Sequence, residues 1–370
     1  MQNDDFGFGI EVEFLLVESQ SFKPLGYNSL DFQALLNLVD AIPTADCSRE
    51  GFNKKPLHNH ITPYLIEGYT LTSAGMKPID LLPKGIEIRT PLTNSFETST
   101  ESVQDLYGRM KSKLMEEHMT AAMLSYHPTE PRIVAPPNYE RHDYWQWALT
   151  ATTTYGPDIN ISLPKHLEEK VNIERINARV NHYAPAAIAL TFASPLRDSQ
   201  LWVVDGQIGK SVRTFERSKW APIFYVHEKP SLRFEFKGFE MSRCLDDYQA
   251  MFLIGLALLL DDRLEGVASD RSRVSTLETL ALSGLESAQV RDTAALVLES
   301  AERIARQFNF RRDSLDEFWN RLKTQRLPSD QIAETFTRTK SVEQTLQTLT
   351  DFYSISESVA LNSPTLCLTK

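Results

Sequence analysis

Glu11 and Glu13 stand inside the apolar run Phe8–Val17, and their spacing of two is the first sign of chemistry in the chain. In a strand, Ile10, Val12 and Phe14 share one face and the two carboxylates share the other. Like charges held side by side repel and raise each other's pKa, so the pair needs water, a basic group or a metal to compensate it. The same period recurs three times. Gly85–Pro91 alternates Ile86 and Ile88 with Glu87 and Arg89; Gly156–Pro164 alternates Ile159, Ile161 and Leu163 with Asp158, Asn160 and Ser162. Ser231–Lys237 alternates Leu232, Phe234 and Phe236 with Arg233, Glu235 and Lys237. A solvated sheet face laced with ion pairs accounts for the alternation alone. The bias toward carboxylates accompanied by cations points instead to magnesium and nucleotide phosphates. Glu11, Glu13, Glu87, Asp158 and Glu235 are hard oxygen ligands of the kind magnesium takes. Arg89, Arg233 and Lys237 are the candidate catalytic cations, since neutralising phosphate charge is most of what phosphoryl transfer demands. The sequence has neither a Walker A motif nor a dinucleotide-binding glycine fingerprint.

These strands need a sheet with one face buried by helices. Ser29–Ile42 predicts a packing helix with Ser29 as its cap. Residues 43–84, rich in Pro, Gly and polar residues, predict a long lid or binding loop. That loop carries Glu67 and the pair His58 and His60, which could ligate a metal or simply meet substrate or solvent. Thr98–Leu124 predicts one long helix, and Pro131–Pro137 a loop. The aromatic stretch Tyr139–Trp147 packs or walls a pocket. Glu168–Tyr183 and Ala184–Leu196 predict two helical pieces meeting near Pro185. A basic segment follows with Lys210, Arg213, Arg217 and Lys219, either a solvated face or an anion-binding loop. Asp246–Leu260 predicts the apolar helix behind the sheet. Beyond Asp262 the pattern is helical throughout, with segments near 273–284, 288–308, 313–324, 328–337 and 341–353.

The chain has 370 residues, 42% of them hydrophobic, enough for a substantial core. Its 39 basic and 49 acidic residues give a net charge of -10, which argues against nucleic acid or an anionic membrane as partner. Cys47, Cys244 and Cys367 lie too far apart for a disulfide framework or a cysteine zinc site. The N-terminus lacks the pattern of a signal peptide, and the apolar run Met251–Leu260 is too short to span a bilayer. The expectation is a soluble cytoplasmic protein, with homo-oligomerisation left open. A catalytic region at 1–262 with a helical extension at 263–370, packed on the same domain, is simpler than two independent domains.

The segments Gly9–Phe14, Gly85–Pro91, Gly156–Pro164 and Arg233–Lys237, in this order and followed by the apolar helix, resemble the glutamate-cysteine ligase family. That family belongs to the glutamine synthetase-like carboxylate-amine ligases, and the match covers about residues 7–262. The resemblance implies an α+β fold, a curved antiparallel sheet backed by helices, with ATP, Mg2+ and glutamate on the concave face. By similarity Glu11, Glu13, Glu87 and Glu235 are metal ligands, with Asp158 standing where the family usually has histidine. Asn160 and Ser162 become contacts on the nucleotide or substrate side. Arg233 and Lys237 occupy an Arg-x-Glu-x-Arg pattern that touches phosphate, with lysine replacing the second arginine. Arg213 and Arg217 are looser candidates for phosphate contacts. The implied reaction transfers the γ-phosphate to a carboxylate, usually of glutamate, and the acyl phosphate is then attacked by the amine of cysteine or another amino acid. Two alternatives keep the fold: a phosphotransferase acting on an amine or guanidine, and a non-catalytic nucleotide- or metal-binding homologue.

Overall fold

The structure, a computed structural model, describes residues 5–134, 146–228 and 231–353. Eight strands form one curled antiparallel sheet. They are β1 (Gly7–Glu18), β2 (Pro24–Leu25), β3 (Tyr64–Thr72), β4 (Pro78–Arg89), β5 (Met119–Ala122), β6 (Pro157–Ser162), β7 (Phe224–His227) and β8 (Arg233–Phe236). The order across the sheet is β7-β8-β6-β1-β4-β3. β1 is its axis. Its first half pairs with β6 and its second half with β5 along the same edge, while β4 runs along the other.

The helices include α1 (Phe32–Asp40), α2 (Phe96–Glu116), α3 (Ile173–Ala189), α4 (Val212–Arg217) and α5 (Leu245–Leu260), then α6 (Asp270–Ser283), α7 (Ala288–Phe308), α8 (Asp316–Thr324), α9 (Pro328–Thr339) and α10 (Val342–Gln347). The apolar face of the sheet, with Phe8, Ile10, Val12, Phe14, Ile86, Ile88, Ile159, Ile161, Phe234 and Phe236, is wholly buried. α5 lies against it at Gly255, where a Cβ would come within 2.8 Å of Ile161 and 3.1 Å of Phe236. Phe308 and Phe310, at the end of α7, meet Phe6 and Phe8 at ring distances of 5.2 and 5.8 Å. The C-terminal helices therefore share the core of the sheet. No helix among the described residues is long and apolar enough to cross a membrane.

Several boundaries differ from the sequence expectation for physical reasons. Residues 43–84 are not one loop, because Tyr64 begins β3 and Pro78 begins β4. Tyr64, Leu65 and Ile66 are all buried, so β3 lacks the alternation that marks a half-exposed strand. α1 is capped by Asp31, whose side chain accepts the Ala34 N–H at 2.7 Å, and not by Ser29. The helix expected at 98–124 ends at Glu116. Glu116 and Glu117 crowd the negative end of its dipole, and His118 turns to φ 57° before β5 begins. Pro185 lies inside α3 without dividing it; residues 183–189 are all buried, so tertiary packing outweighs the lost hydrogen bond. Most of the aromatic stretch 139–147 and Cys367 lie outside the described residues.

Two glycines give opposite predictions. At Gly85 a Cβ would stand 2.0 Å from the Phe14 carbonyl oxygen, across the β1–β4 ladder. Gly85→Ala is expected to cost about 3 kcal/mol or more of unfolding free energy. Gly108, inside α2, has nothing within 4 Å of its Cβ position. Gly108→Ala should stabilise by about 0.5–1 kcal/mol. Urea midpoints of the two variants should move in opposite directions.

Candidate functional site

The face of the sheet opposite α5 collects the charged residues in register. Glu11 lies between Arg89 on β4 and Asp158 on β6; Glu13 is opposite Glu87; Glu235 is opposite Asn160. With a period of two along β1, β6, β8 and the end of β4, and Glu67 added from β3, the ladders bring five strands' carboxylates to one concavity. They separate into two triads. Glu11, Asp158 and Glu235 form one, Glu13, Glu67 and Glu87 the other, and in each triad one oxygen per residue lies within 4.8 Å of the other two.

Each triad holds a lysine. Lys237 Nζ pairs with Asp158 and lies 2.5 Å from Glu235 Oε1. Those charges raise its pKa against desolvation. Glu235 also takes a hydrogen bond at 2.6 Å from His227 Nε2. Against desolvation, Lys237 and His227 lower its pKa to about 2. In the second triad Lys84 Nζ lies 2.8 Å from Glu13 Oε1 and donates to the Thr154 carbonyl at 2.7 Å. Desolvation works against Glu13, and the charge of Lys84 more than offsets it. Alternation hid Lys84, whose even number belongs to the apolar parity of Ile86 and Ile88. Glu67 pairs with Gly85 and Gly68 with Pro83, so Lys84 is the extra residue of a bulge that turns it onto the acidic face.

For the remaining carboxylates burial and like charge outweigh the relief from Lys55, Lys84 and Lys237. Burial, then Asp158 and Glu235, push Glu11 up to about 7. Burial followed by Glu13 raises Glu67, and burial followed by Glu67 and Glu11 raises Glu87 well above its ordinary value. Glu87 Oε1 is buried with no hydrogen-bond partner. All-oxygen donors, mutual repulsion and an orphaned buried carboxylate oxygen fit magnesium. A pH prediction follows for the metal-free protein. An unfolded glutamate loses its proton near 4.5, whereas folded Glu11 keeps it to about 7. The native state binds more protons in that window, so Glu11 lowers stability progressively as pH rises from 4.5 to 7. Glu235 acts separately: the stability it contributes is present above 4.5 and lost as pH falls toward 2. A magnesium ion held by Glu11 would have to displace its proton, so magnesium should raise Tm more at pH 8 than at pH 6, by a few degrees in a thermal-shift titration.

The other predicted residues fall in distinct places. Arg233 Nη1 donates to Asn160 Oδ1 at 2.8 Å and lies 3.9 Å from Glu11 Oε1. Arg233, Asn160 and Ser162 line a cavity of about 440 Å3 with Gly9, Phe52 and His227. Arg89 is buried and turned to the 43–63 segment: it donates to Thr62 O at 2.7 Å and Asn53 O at 3.3 Å, with Phe52 4.7 Å from its guanidinium. Arg213 is also buried, spent on the carbonyls of Lys237 and Gly238 at 3.0 Å each. Arg217 stands beside it, half buried. His58 is buried; its Nδ1 lies 3.1 Å from Pro56 O, and its Nε2 accepts the Ile66 N–H at 3.0 Å, tying loop to strand. His60 is exposed.

A family model described as glutamate-cysteine ligase family 2 (GCS2) matches residues 7–214. No curated protein matches the sequence significantly. Among solved structures, a bifunctional glutathione synthetase from Pasteurella multocida is similar at 12% identity with a TM-score of 0.63. The alignment covers 94% of this chain and 52% of that one, so the chain spans about half the length of that protein. A glutamate-cysteine ligase from Francisella tularensis in complex with AMP is similar at 11% identity and a TM-score of 0.60, covering 95% of this chain and 88% of that one. The ligase PafA, in its complex with the prokaryotic ubiquitin-like protein Pup, gives 10% identity and a TM-score of 0.50, covering 94% and 68%. At these identities the likeness is one of fold.

Proposed function

The chain belongs to glutamate-cysteine ligase family 2, and from that membership we propose that it is an ATP- and magnesium-dependent carboxylate-amine ligase forming a γ-glutamyl amide through an acyl phosphate. The observation that carries this reading is the convergence of Glu11, Glu13, Glu67, Glu87, Asp158 and Glu235 into two triads with cations inserted among them. Magnesium, when bound, supplies positive charge against the phosphate oxygens. Glu11, Asp158 and Glu235 would hold it at one triad, Glu13, Glu67 and Glu87 at the other. The cavity beside Gly9, Asn160, Ser162 and Arg233 suits the nucleotide, and the AMP bound to the Francisella ligase of like fold supports that choice. Arg233 and Lys237 would bring positive charge to the phosphates, and Asp158 and Glu235, which Lys237 pairs with, would offer their oxygens to the ion. Arg89 acts by fastening the 43–63 segment over the cleft, and Lys84 by fixing Glu13. We also read 263–370 as part of the same folding unit, the helical side of one catalytic domain.

The test is ADP release with ATP, magnesium and glutamate while the amine is varied, followed by product analysis. A ligase forms an amide and free phosphate, whereas a phosphotransferase leaves a phosphorylated amine. If no carboxylate and amine pair stimulates ADP release, the ligase reading fails.

A further inference from the structure

Three arginines gather on the helical side of the molecule. Arg263, Arg303 and Arg306 line a cavity of about 420 Å3 together with Leu260, Asp261 and Gln307. Leu260 ends α5, the helix packed on the apolar face of the sheet, so this cavity belongs to the side opposite the charged cleft. Its base is a buried carboxylate. Asp261 is 8% exposed; its Oδ2 accepts Ser300 Oγ at 2.7 Å and Arg303 Nε and Nη2 at 3.0 and 2.8 Å, and its Oδ1 accepts the Arg263 N–H at 3.0 Å. Asp261 thus fixes one edge of the Arg303 guanidinium and leaves Nη1 without an acceptor.

The other donors around the cavity are less engaged. Among the described residues the Arg263 guanidinium and the Gln307 amide make no hydrogen bond or ion pair, and Arg306 has only Glu302, at 3.4 Å. The lining therefore sets three positive charges against one negative, in a chain whose net charge is -10. Asp261 accounts for Arg303, and the negative end of the α7 dipole accounts for Arg306 in its last turn. Neither accounts for Arg263, which reaches the same space from the segment after α5. Like charges so gathered repel, and an anion between them would offset the repulsion. A carboxylate offers two oxygens in one plane. A phosphoryl group offers three, so that forks arriving from two elements can each take an oxygen of their own. The volume is that of a small-molecule site, with room for more than one such group.

We propose that Arg263, Arg303, Arg306 and Gln307 form a second anion site, outside the cleft, for a pyrophosphoryl group, free or carried on a nucleoside. Calorimetry with pyrophosphate, in the absence of divalent metal, should detect binding that weakens about 10- to 100-fold in the double variant Arg263→Gln with Arg306→Gln. Both side chains are exposed, so the urea midpoint of that variant should match wild type. Lysine at both positions should keep part of the affinity, since the charge remains without the fork. The cleft also carries cations, and hydrogen exchange tells the two places apart. Pyrophosphate should slow exchange at 260–264 and in the last turn of α7 in the wild type and not in the glutamine variant. ADP in its place identifies the carrier: protection of the same two turns by ADP assigns a nucleotide, protection by pyrophosphate alone a free polyphosphate, and either supports the site. Citrate, with three carboxylates, should bind about 10-fold more weakly, and parity with pyrophosphate would overturn the phosphoryl class. No binding to the wild type, unchanged affinity in the glutamine variant, or protection confined to β6 and β8 would overturn the site itself.

Discussion

Glu87→Gln is expected to lower ATP turnover by about a hundredfold to a thousandfold while leaving the fold intact. The expectation rests on two features that pull apart here and usually travel together. Glu87 is only 4% exposed, and its Oε1 has no partner, so the metal-free protein gains nothing from its negative charge. Burial and the charges of Glu67 and Glu11 already favour its neutral form. Glutamine reproduces that neutral shape, and the urea midpoint should therefore stay within about 1 kcal/mol of wild type or rise. What glutamine cannot supply is the charge for a divalent ion, so the magnesium-dependent rise in Tm should shrink together with turnover. Glu13→Gln makes the contrast. It leaves the buried Lys84 ammonium without its carboxylate, and stability should fall by about 3 kcal/mol along with activity. Full turnover in Glu87→Gln with an unchanged magnesium response would remove the second triad from the mechanism.

The contrast also shows how far the sequence could be read. Glu11, Glu13, Glu87, Asp158 and Glu235 were visible as one face because regular strands have a period of two, and a ladder in register puts each strand's alternate residues on a shared face. Two kinds of residue escaped. Lys84 escaped because a bulge reverses parity locally; Pro83 and Gly85 are residues that mark bulges, but the pairing partner, β3, was itself hidden in a Pro- and Gly-rich stretch. Glu67 was noticed as an acid but not as a member of a triad for the same reason. The rest is long-range side-chain choice. Arg89 and Arg233 look alike on paper, each on the polar face of its strand, yet one turns to the carbonyls of Asn53 and Thr62 and the other to Asn160. Asp158 and Lys237, which the resemblance singled out separately, prove to be an ion pair.

Arg321→Ala is expected to destabilise the whole protein by about 3–5 kcal/mol, although Arg321 lies in α8, far in sequence from every residue of the cleft. Its Nη2 is 2.7 Å from Asp247 Oδ2, with side-chain exposures of 6% and 1%, and its Nη1 donates to Leu190 O at 3.2 Å. Asp247 stands in the first turn of α5, the helix that backs the sheet. Its other oxygen is buried without a partner, and Ser242 Oγ donates to the same Oδ2. Removing the guanidinium therefore leaves a buried carboxylate with one neutral donor, which is the expensive way to break an ion pair. Replacing both residues, as in Asp247→Leu with Arg321→Leu, should recover much of the loss, because no buried charge then remains. The location of the damage decides the domain question. If 263–370 folds with the sheet, hydrogen exchange in Arg321→Ala should accelerate together in β8 and α7, with one urea transition. If the tail is a separate unit, exchange should rise in α7 and α8 while Phe234–Phe236 keep their protection and ATP turnover survives. The shared core makes the first outcome the expected one: Phe308 and Phe310 pack on Phe6 and Phe8, at the start of the strand that carries Glu11 and Glu13. Loosening the tail then exposes the apolar face of β1, and the carboxylates on its other face lose the register that brings them together.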